Sequence, residues 1–295
     1  MAESDSTYPI DPENAGELAR LMQQDRLLTE SMGGLLPEED IKLPEGAKVL
    51  DLACGPGGWD LELAFLYPKA AVVGVDISRQ VIEYARAQAW SRGLENVHFE
   101  VMNVMEPLAF PDGSFDLING RLLGGFMLPA AWPKLLAESY RLLKPGGILR
   151  LTEMETPLTT SPAYERFASL VAQALKRAGQ SLSPDGRHLG TITVLPRMVR
   201  QAGFEGVQKR VSVIEWSMGT EAHYPVFKDY LIGLELVQPF LAKVGVATKE
   251  ELEYLYQLTV AEMQQEDFSA LWPLLTVWGR KPLATGERPA ASEST

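Results

Sequence analysis

Apolar residues along this chain fall in short runs divided by glycine, proline and acidic positions. Val49, Leu50 and Leu52 lead into a loop of small residues, Ala53-Cys54-Gly55-Pro56-Gly57-Gly58. A helical pattern starts near Trp59, and a second apolar run, Ala71 to Val75, ends in Asp76. The order strand, glycine loop, helix, strand, acid is half of a nucleotide-binding fold. Downstream, Val97 to Met102 alternates as a third strand, and Phe115 to Asn119 reads as a fourth. Trp132 to Leu143 is an amphipathic helix pattern, and Lys144-Pro145-Gly146-Gly147 turns into a fifth strand, Ile148 to Met154. Strands alternating with helices predict an α/β fold around a largely parallel sheet.

The two ends are patterned differently. Asp11-Pro12 is a helix-start signal, and Leu18, Leu21, Met22, Leu28 and Met32 follow at helical spacing until Gly33-Gly34. Past the fifth strand, Tyr164 to Ala178 and Leu195 to Gly203 read as helices, and Gly206 to Trp216 as a strand. Residues 221–269 are rich in helix formers and aromatics, and Trp272 to Gly279 reads as a last strand. Residues 1–7 and the Ala/Ser/Glu-rich tail from Leu283 are expected to be disordered.

The glycine loop carries the first chemical signal. Glycines let the chain turn sharply and let a ligand lie against the backbone without a Cβ clash. The helix behind the loop turns its unpaired N–H groups toward it. Asp76 at the end of the second strand is suited to accept both hydroxyls of a ribose. A dinucleotide fold would share these features, but its GxGxxG fingerprint needs glycine where Asp60 stands. Asp51 is a second anion, placed where a pyrophosphate would lie. A cofactor with a cationic amino-acid end tolerates both acids.

The stretch DLACGPGG resembles the first motif of class I S-adenosylmethionine-dependent methyltransferases, D/E-x-G-x-G-x-G, with Asp51, Gly55 and Gly57 matching and Ala53 replacing the first glycine. VVGVDIS resembles the second motif, which implies Asp76 as the ribose acid with Ile77 beside it. The resemblance also implies that Asn103, where the family usually has Asp, and Val104 meet the adenine, and that Asn119 meets the methionine end of the cofactor. Arg121 is implied in the site or in contact with substrate. FPDGSFD and RLLKPGGILRLTE are further family-like stretches, so the motif resemblance covers about residues 45–155, with weaker similarity to about 215. The group resembled is the one that includes ubiquinone/menaquinone-type and natural-product enzymes. It implies a seven-stranded Rossmann-like sheet with helices on both faces, an N-terminal helical cap and a helical insertion before the last strand.

The resulting division is 1–44 as cap or lid, 45–220 as the S-adenosylmethionine-binding core, 221–269 as a helical insertion, 270–282 as the last core strand and 283–295 as tail. The insertion would cover substrate or form a homodimer contact. If the N-terminal helix closes over the cofactor, Tyr8 and Gln24 come near the ligand, and Tyr224 of the insertion is a further substrate candidate.

Composition narrows the acceptor. A formal charge of −12 disfavours a phosphate backbone. The N-G-R-L at 119–122 lacks the proline-backed aromatic of enzymes that hold a flipped base. No apolar run approaches the length of a membrane span, and the acidic start MAESDSTYPID is unlike a secretory signal. The single cysteine, Cys54, excludes an internal disulfide, so a cytoplasmic protein is expected. No zinc-like ligand cluster is visible, and no metal is expected.

A small organic molecule is therefore the expected acceptor, with O-, N- and C-methylation all open. Catalytic candidates are few. His188 in a loop and His223 in the insertion have the right unperturbed pKa for a general base, and Glu153 ends the fifth strand on the ligand side of the sheet. With no assured base, a non-catalytic S-adenosylmethionine-binding partner protein is an alternative. A nicotinamide-dependent oxidoreductase is a weaker one, since neither a Tyr-Lys nor a His pair is found.

Overall fold

The computed structural model describes residues 7–11 and 14–283. The expected N-terminal and C-terminal tails fall, apart from Thr7 and Leu283, outside those residues, as does Pro12. Helix α1 (Ala15–Ser31) starts at Asn14, not at Asp11-Pro12. The Asn14 side chain accepts from the amides of Gly16 and Glu17, which is the cap the helix uses.

The core then alternates β1 (Lys48–Leu52), α2 (Gly58–Leu66), β2 (Ala71–Asp76), α3 (Arg79–Ser91), β3 (Val97–Val101) and β4 (Phe115–Arg121). It continues with α4 (Trp132–Leu142), β5 (Leu143–Met154), the two-residue β6 (Leu158–Thr159), α5 (Pro162–Arg177), α6 (Thr191–Gln201) and β7 (Glu205–Glu215). Helices α7 (His223–Val244) and α8 (Lys249–Glu262) precede β8 (Ala270–Arg280). The fifth strand thus begins at Leu143, with Gly146 in the left-handed region inside it rather than in a separate turn before it.

The sheet order is β3-β2-β1-β4-β5-β8, with β7 on the far side of β8. These seven strands make the methyltransferase-type sheet. β6 pairs with Leu271 and Ala270 of β8, so it prolongs the edge that β5 forms with Leu274 to Arg280. The strands from β1 to β5 that neighbour one another are parallel, whereas β8 runs antiparallel to both β5 and β7. The carboxyl ends of β1, β2 and β4 therefore open on one edge, where ligands enter sheets of this kind.

Buried side chains form three clusters. One packs α2, α3 and the strands around Trp59 and Phe99. A second packs α4 and α6 on the other face around Trp132 and Leu151. The third joins α1, α5, α7 and α8 to Trp216 and Trp272 of the antiparallel strands. The aromatics of 216–272 that build this cluster are a core in their own right, and it stands directly beyond the open edge of the sheet. Helix α8 is fixed by a reciprocal cap, Thr248 Oγ1 accepting from the Glu251 amide and Glu251 accepting from the Thr248 amide.

Candidate functional site

The loop after β1 carries three residues in the left-handed region, Ala53 (φ 51°), Gly55 (φ 54°) and Gly57 (φ 78°). Alanine at the first position adopts a conformation that glycine takes at lower cost. Asp76 folds back onto this loop. Its Oδ2 accepts from the Gly55 amide at 3.1 Å and its Oδ1 from the Ser78 amide at 2.9 Å. Burial pushes the Asp76 carboxyl up, and these amides oppose it. A Cβ on Gly55 would meet nothing within 4 Å, so that face of the loop is an open cradle.

Gly57 does not share it. A Cβ there would lie 2.6 Å from the Phe99 ring, and Gly57 does not line the cavity. The missing side chain of Gly57 makes room for Phe99 of β3.

At the end of β1 and β4 the structure gathers charge. Asp51 and Asp60 are buried, and Arg121 is ion-paired with Asp25 of α1 and bonded to Thr29 Oγ1 at 3.2 Å. Burial pushes Asp51 up, against the pull of Arg121, and pushes Asp60 well up beside the Asp51 charge. With both ionised, neither oxygen of Asp60 has a donor. A proton shared with Asp51 supplies one, and so would an ammonium group. Three carboxyls around one guanidinium leave a deficit of positive charge that fits a cofactor with a cationic amino-acid end.

Asn119 is placed differently from the expectation. It is fully buried behind Asp51 and does not line the cavity. Its Nδ2 donates to Asp51 Oδ1 at 2.7 Å, while its Oδ1 accepts from Arg150 Nη1 at 2.8 Å. Arg150 is in turn paired with Glu38 at 3.0 Å. Asn119 therefore orients Asp51 from beneath, through a relay that begins at Glu38.

A smaller cavity of about 30 Å³ adjoins this region, lined by Ala53, Asp76, Ile77, Asn103, Val104 and neighbours. Asn103 Oδ1 accepts from the Met105 amide at 3.0 Å, which fixes the side chain at the rim. The main cavity, about 340 Å³, runs from Asp51, Ala53, Gly55 and Asp76 to α5 and α7 in one space. Its far arm is walled by Met154, Tyr164, Ala168, Tyr230, Leu234 and Trp272. Above it, α1 contributes Arg20 and Gln24, with Tyr8 of the preceding segment. Arg20 Nη1 and Gln24 Nε2 each donate to Asp229 of α7 at 2.9 Å, and Tyr8 donates to Glu17 at 2.6 Å.

The remaining candidates stand away from this space. Glu153 is buried and does not line the cavity. It accepts from the amides of Leu123 and Gly124 at 2.8 and 3.0 Å, and burial pushes its carboxyl up to about 8. It thus anchors the turn after β4 instead of ending the strand in solvent. His223 Nδ1 is 3.0 Å from the Trp216 carbonyl, and its ring stacks with Trp216 and Phe227. Neither His188 nor His223 lines the cavity, and Tyr224 is exposed on the outside of α7. The structure thus does not bring these four to the cavity. Asp25, Arg20 and Asp229 lie in the wall without having been expected there. Their signal in the sequence was a charged residue among the apolar spacing of an amphipathic helix, which a solvated face produces as readily. Among the described residues no group of three potential ligands could hold a metal ion.

Residues 43–194 match a family model described as a methyltransferase domain. The chain is 30% identical over 177 residues to demethylmenaquinone methyltransferase of Lactococcus lactis subsp. lactis, covering 55% of this chain and 68% of that protein. It is 30% identical over 200 residues to the Listeria monocytogenes serotype 4a enzyme of the same name, covering 64% and 81%. Among solved structures, YcgJ from Bacillus subtilis superposes with a TM-score of 0.52 at 18% identity, over 90% of this chain and 99% of that one. Phosphoethanolamine N-methyltransferase 2 of Haemonchus contortus, in complex with S-adenosyl-L-methionine, gives 0.52 at 19%, over 86% and 52%. The two structural likenesses concern the fold, and the family rests on the matches in sequence. The chain belongs to the class I S-adenosylmethionine-dependent methyltransferases.

Proposed function

We propose that this enzyme methylates a small, largely apolar organic molecule. The observation that carries the reading is the single cavity joining the glycine-loop cradle to an apolar arm beneath α5 and α7. A cofactor held at one end and an acceptor at the other would meet inside it, away from water. S-adenosylmethionine supplies a methyl group on a positively charged sulfur, and the protein's part is alignment and desolvation. Asp76 would take the ribose hydroxyls, and Ile77, Asn103 and Val104 would flank the adenine. Asp51, held by Asn119, would face the ammonium with Asp25, backed by the buried Asp60, and Arg121 the carboxylate.

The relatives named for demethylmenaquinone support an acceptor with an apolar ring. The net charge of −12 supports a small molecule over a nucleic acid. Among the described residues no helix is long and apolar enough to cross a membrane, and with the single cysteine this supports a cytoplasmic enzyme. Val211 and Val213 on the outer strand β7 are exposed, and they would be the first place to seek a homodimer contact.

A calorimetric titration with S-adenosylhomocysteine tests the cofactor half, with NAD and NADP as controls. Saturable binding of the homocysteine compound alone is expected, and binding of a nicotinamide cofactor instead would sink the reading. A screen of apolar hydroxyl and amine compounds for a gain of one methylene by mass spectrometry then tests the acceptor half.

A further inference from the structure

Four carboxylates line the main cavity among the described residues: Asp25, Asp51, Asp76 and Asp229. The first three belong to the cradle, engaged by Arg121, by Asn119 and by the amides of Gly55 and Ser78. Asp229 alone stands at the apolar arm. It sits beside Tyr230 on α7, and each of its oxygens takes one donor, from Arg20 and from Gln24. One lone pair on each oxygen is left over, and the carboxylate is held from two sides.

The surrounding charge is unbalanced. Glu17 binds the other two nitrogens of Arg20 at 2.7 Å each, so Glu17, Arg20 and Asp229 together carry one negative charge when ionised. All three are buried. Such a group repels an anionic ligand and attracts one that offers a proton. Trp272 lies in the same wall, and its ring meets Tyr230 edge to face at 5.4 Å. Tyr230 also meets Tyr164 edge to face at 5.4 Å, so three aromatic rings bound the arm.

We propose that Asp229 is the hydrogen-bond acceptor and base for a hydroxyl or amine carried on a flat apolar acceptor seated among Tyr164, Tyr230 and Trp272. The assignment rests on the methyltransferase reading above. As the acceptor oxygen or nitrogen bonds to the methyl carbon, the carbon–sulfur bond breaks and its electron pair stays on sulfur. The proton of the acceptor is then the one species left over, and Asp229 takes it. The cradle carboxylates do not serve, because they face the cofactor end.

The test compares 1-naphthol, naphthalene and 1-naphthoate as probes, by quenching of tryptophan fluorescence and by calorimetry, with and without saturating S-adenosylhomocysteine. Wild-type protein should bind 1-naphthol about tenfold more tightly than naphthalene, the scale of one charge-assisted hydrogen bond, and should exclude 1-naphthoate. Asp229→Asn should abolish the preference for 1-naphthol and leave naphthalene unchanged. Equal binding of 1-naphthol and naphthalene by the wild type, or an undiminished preference in Asp229→Asn, overturns the proposal. Should that variant not fold, the wild type answers through pH. The preference must fade on acidification as Asp229 gains a proton, and a preference constant down to pH 4 overturns the assignment. The groups facing Asp229 are Arg20 and Glu17 of α1, Tyr164 of α5 and Tyr230 of α7. Glu17→Gln, measured alongside, separates the two acids. Failure of S-adenosylhomocysteine to bind strikes the cofactor reading, whereas the comparison of the naphthyl probes without it still judges Asp229.

Discussion

Arg121, at the end of β4, is ion-paired with Asp25 of the N-terminal helix, and this contact brings α1 over the glycine loop. A Cβ on Gly58 would run into the Asp25 carboxylate, so the two elements touch with no room between them. Among the described residues of the cavity wall, Arg121 is the cation that pulls on Asp51 and on the buried Asp60. It holds α1 and offsets the buried acids together.

Replacing Arg121 with methionine therefore leaves three carboxyls without their cation. The expected cost is about 3 kcal/mol of folding stability, the scale for breaking a buried pair from one side. The loss should be larger at pH 8 than at pH 5, because protonation relieves the carboxyls. Denaturant unfolding at both pH values measures it, and Asp25→Asn in the same chain should restore part of the stability at pH 8.

Asp76 accepts two amide hydrogen bonds that aim its carboxylate at the cavity. Asp76→Ala should weaken S-adenosylhomocysteine binding by about 1.5–3 kcal/mol, the scale of a lost charged hydrogen bond. Unchanged affinity in calorimetry would mean that the ribose lies elsewhere.

The two loop glycines should answer differently to substitution. Gly57→Ala places a methyl against Phe99 at 2.6 Å and at a positive φ, so it should cost about 1–3 kcal/mol of stability. Gly55→Val meets only open space within the protein but sits at φ 54°, so it should cost about 1–2 kcal/mol of stability through backbone strain, keep a folded circular dichroism spectrum and lose cofactor binding. If Gly55→Val binds S-adenosylhomocysteine normally, the loop is not the cradle.

Glu153 gives a pH dependence with a definite sign. Burial raises its folded pKa to about 8, from an unfolded value near 4.5. The folded state thus binds more protons than the unfolded one between those values, and stability falls as pH rises from about 4.5 through about 8. The contribution is roughly 3–5 kcal/mol across that window. Glu153→Gln should flatten this part of the profile, and the difference between the two chains in denaturant unfolding at pH 5.5 and 8.5 reads it. An identical slope in both would mean that Glu153 stays ionised when folded.

The periodic signals by themselves determined the sheet. Strands β1 to β5 alternate with helices in the sequence because each must bury one face, and that requirement writes a local period into the chain. The glycine loop and Asp76 were legible for the same reason, since a tight turn and a strand-end acid depend on neighbours in sequence. What closes the site was not legible. Asp25 meets Arg121 across 96 residues, and Arg20 meets Asp229 across 209. No local pattern marks such pairs, and a charge on an amphipathic helix looks the same whether it faces water or a buried partner. Asn119 lies at the strand end as expected, and its side chain turns behind Asp51, because which way a side chain points at a strand terminus depends on what packs beneath it, here Arg150 and Glu38. The histidines stood out in sequence for their pKa alone. Only the tertiary structure decides which side chains share one cavity, and it places Asp229 of α7 there and neither His188 nor His223.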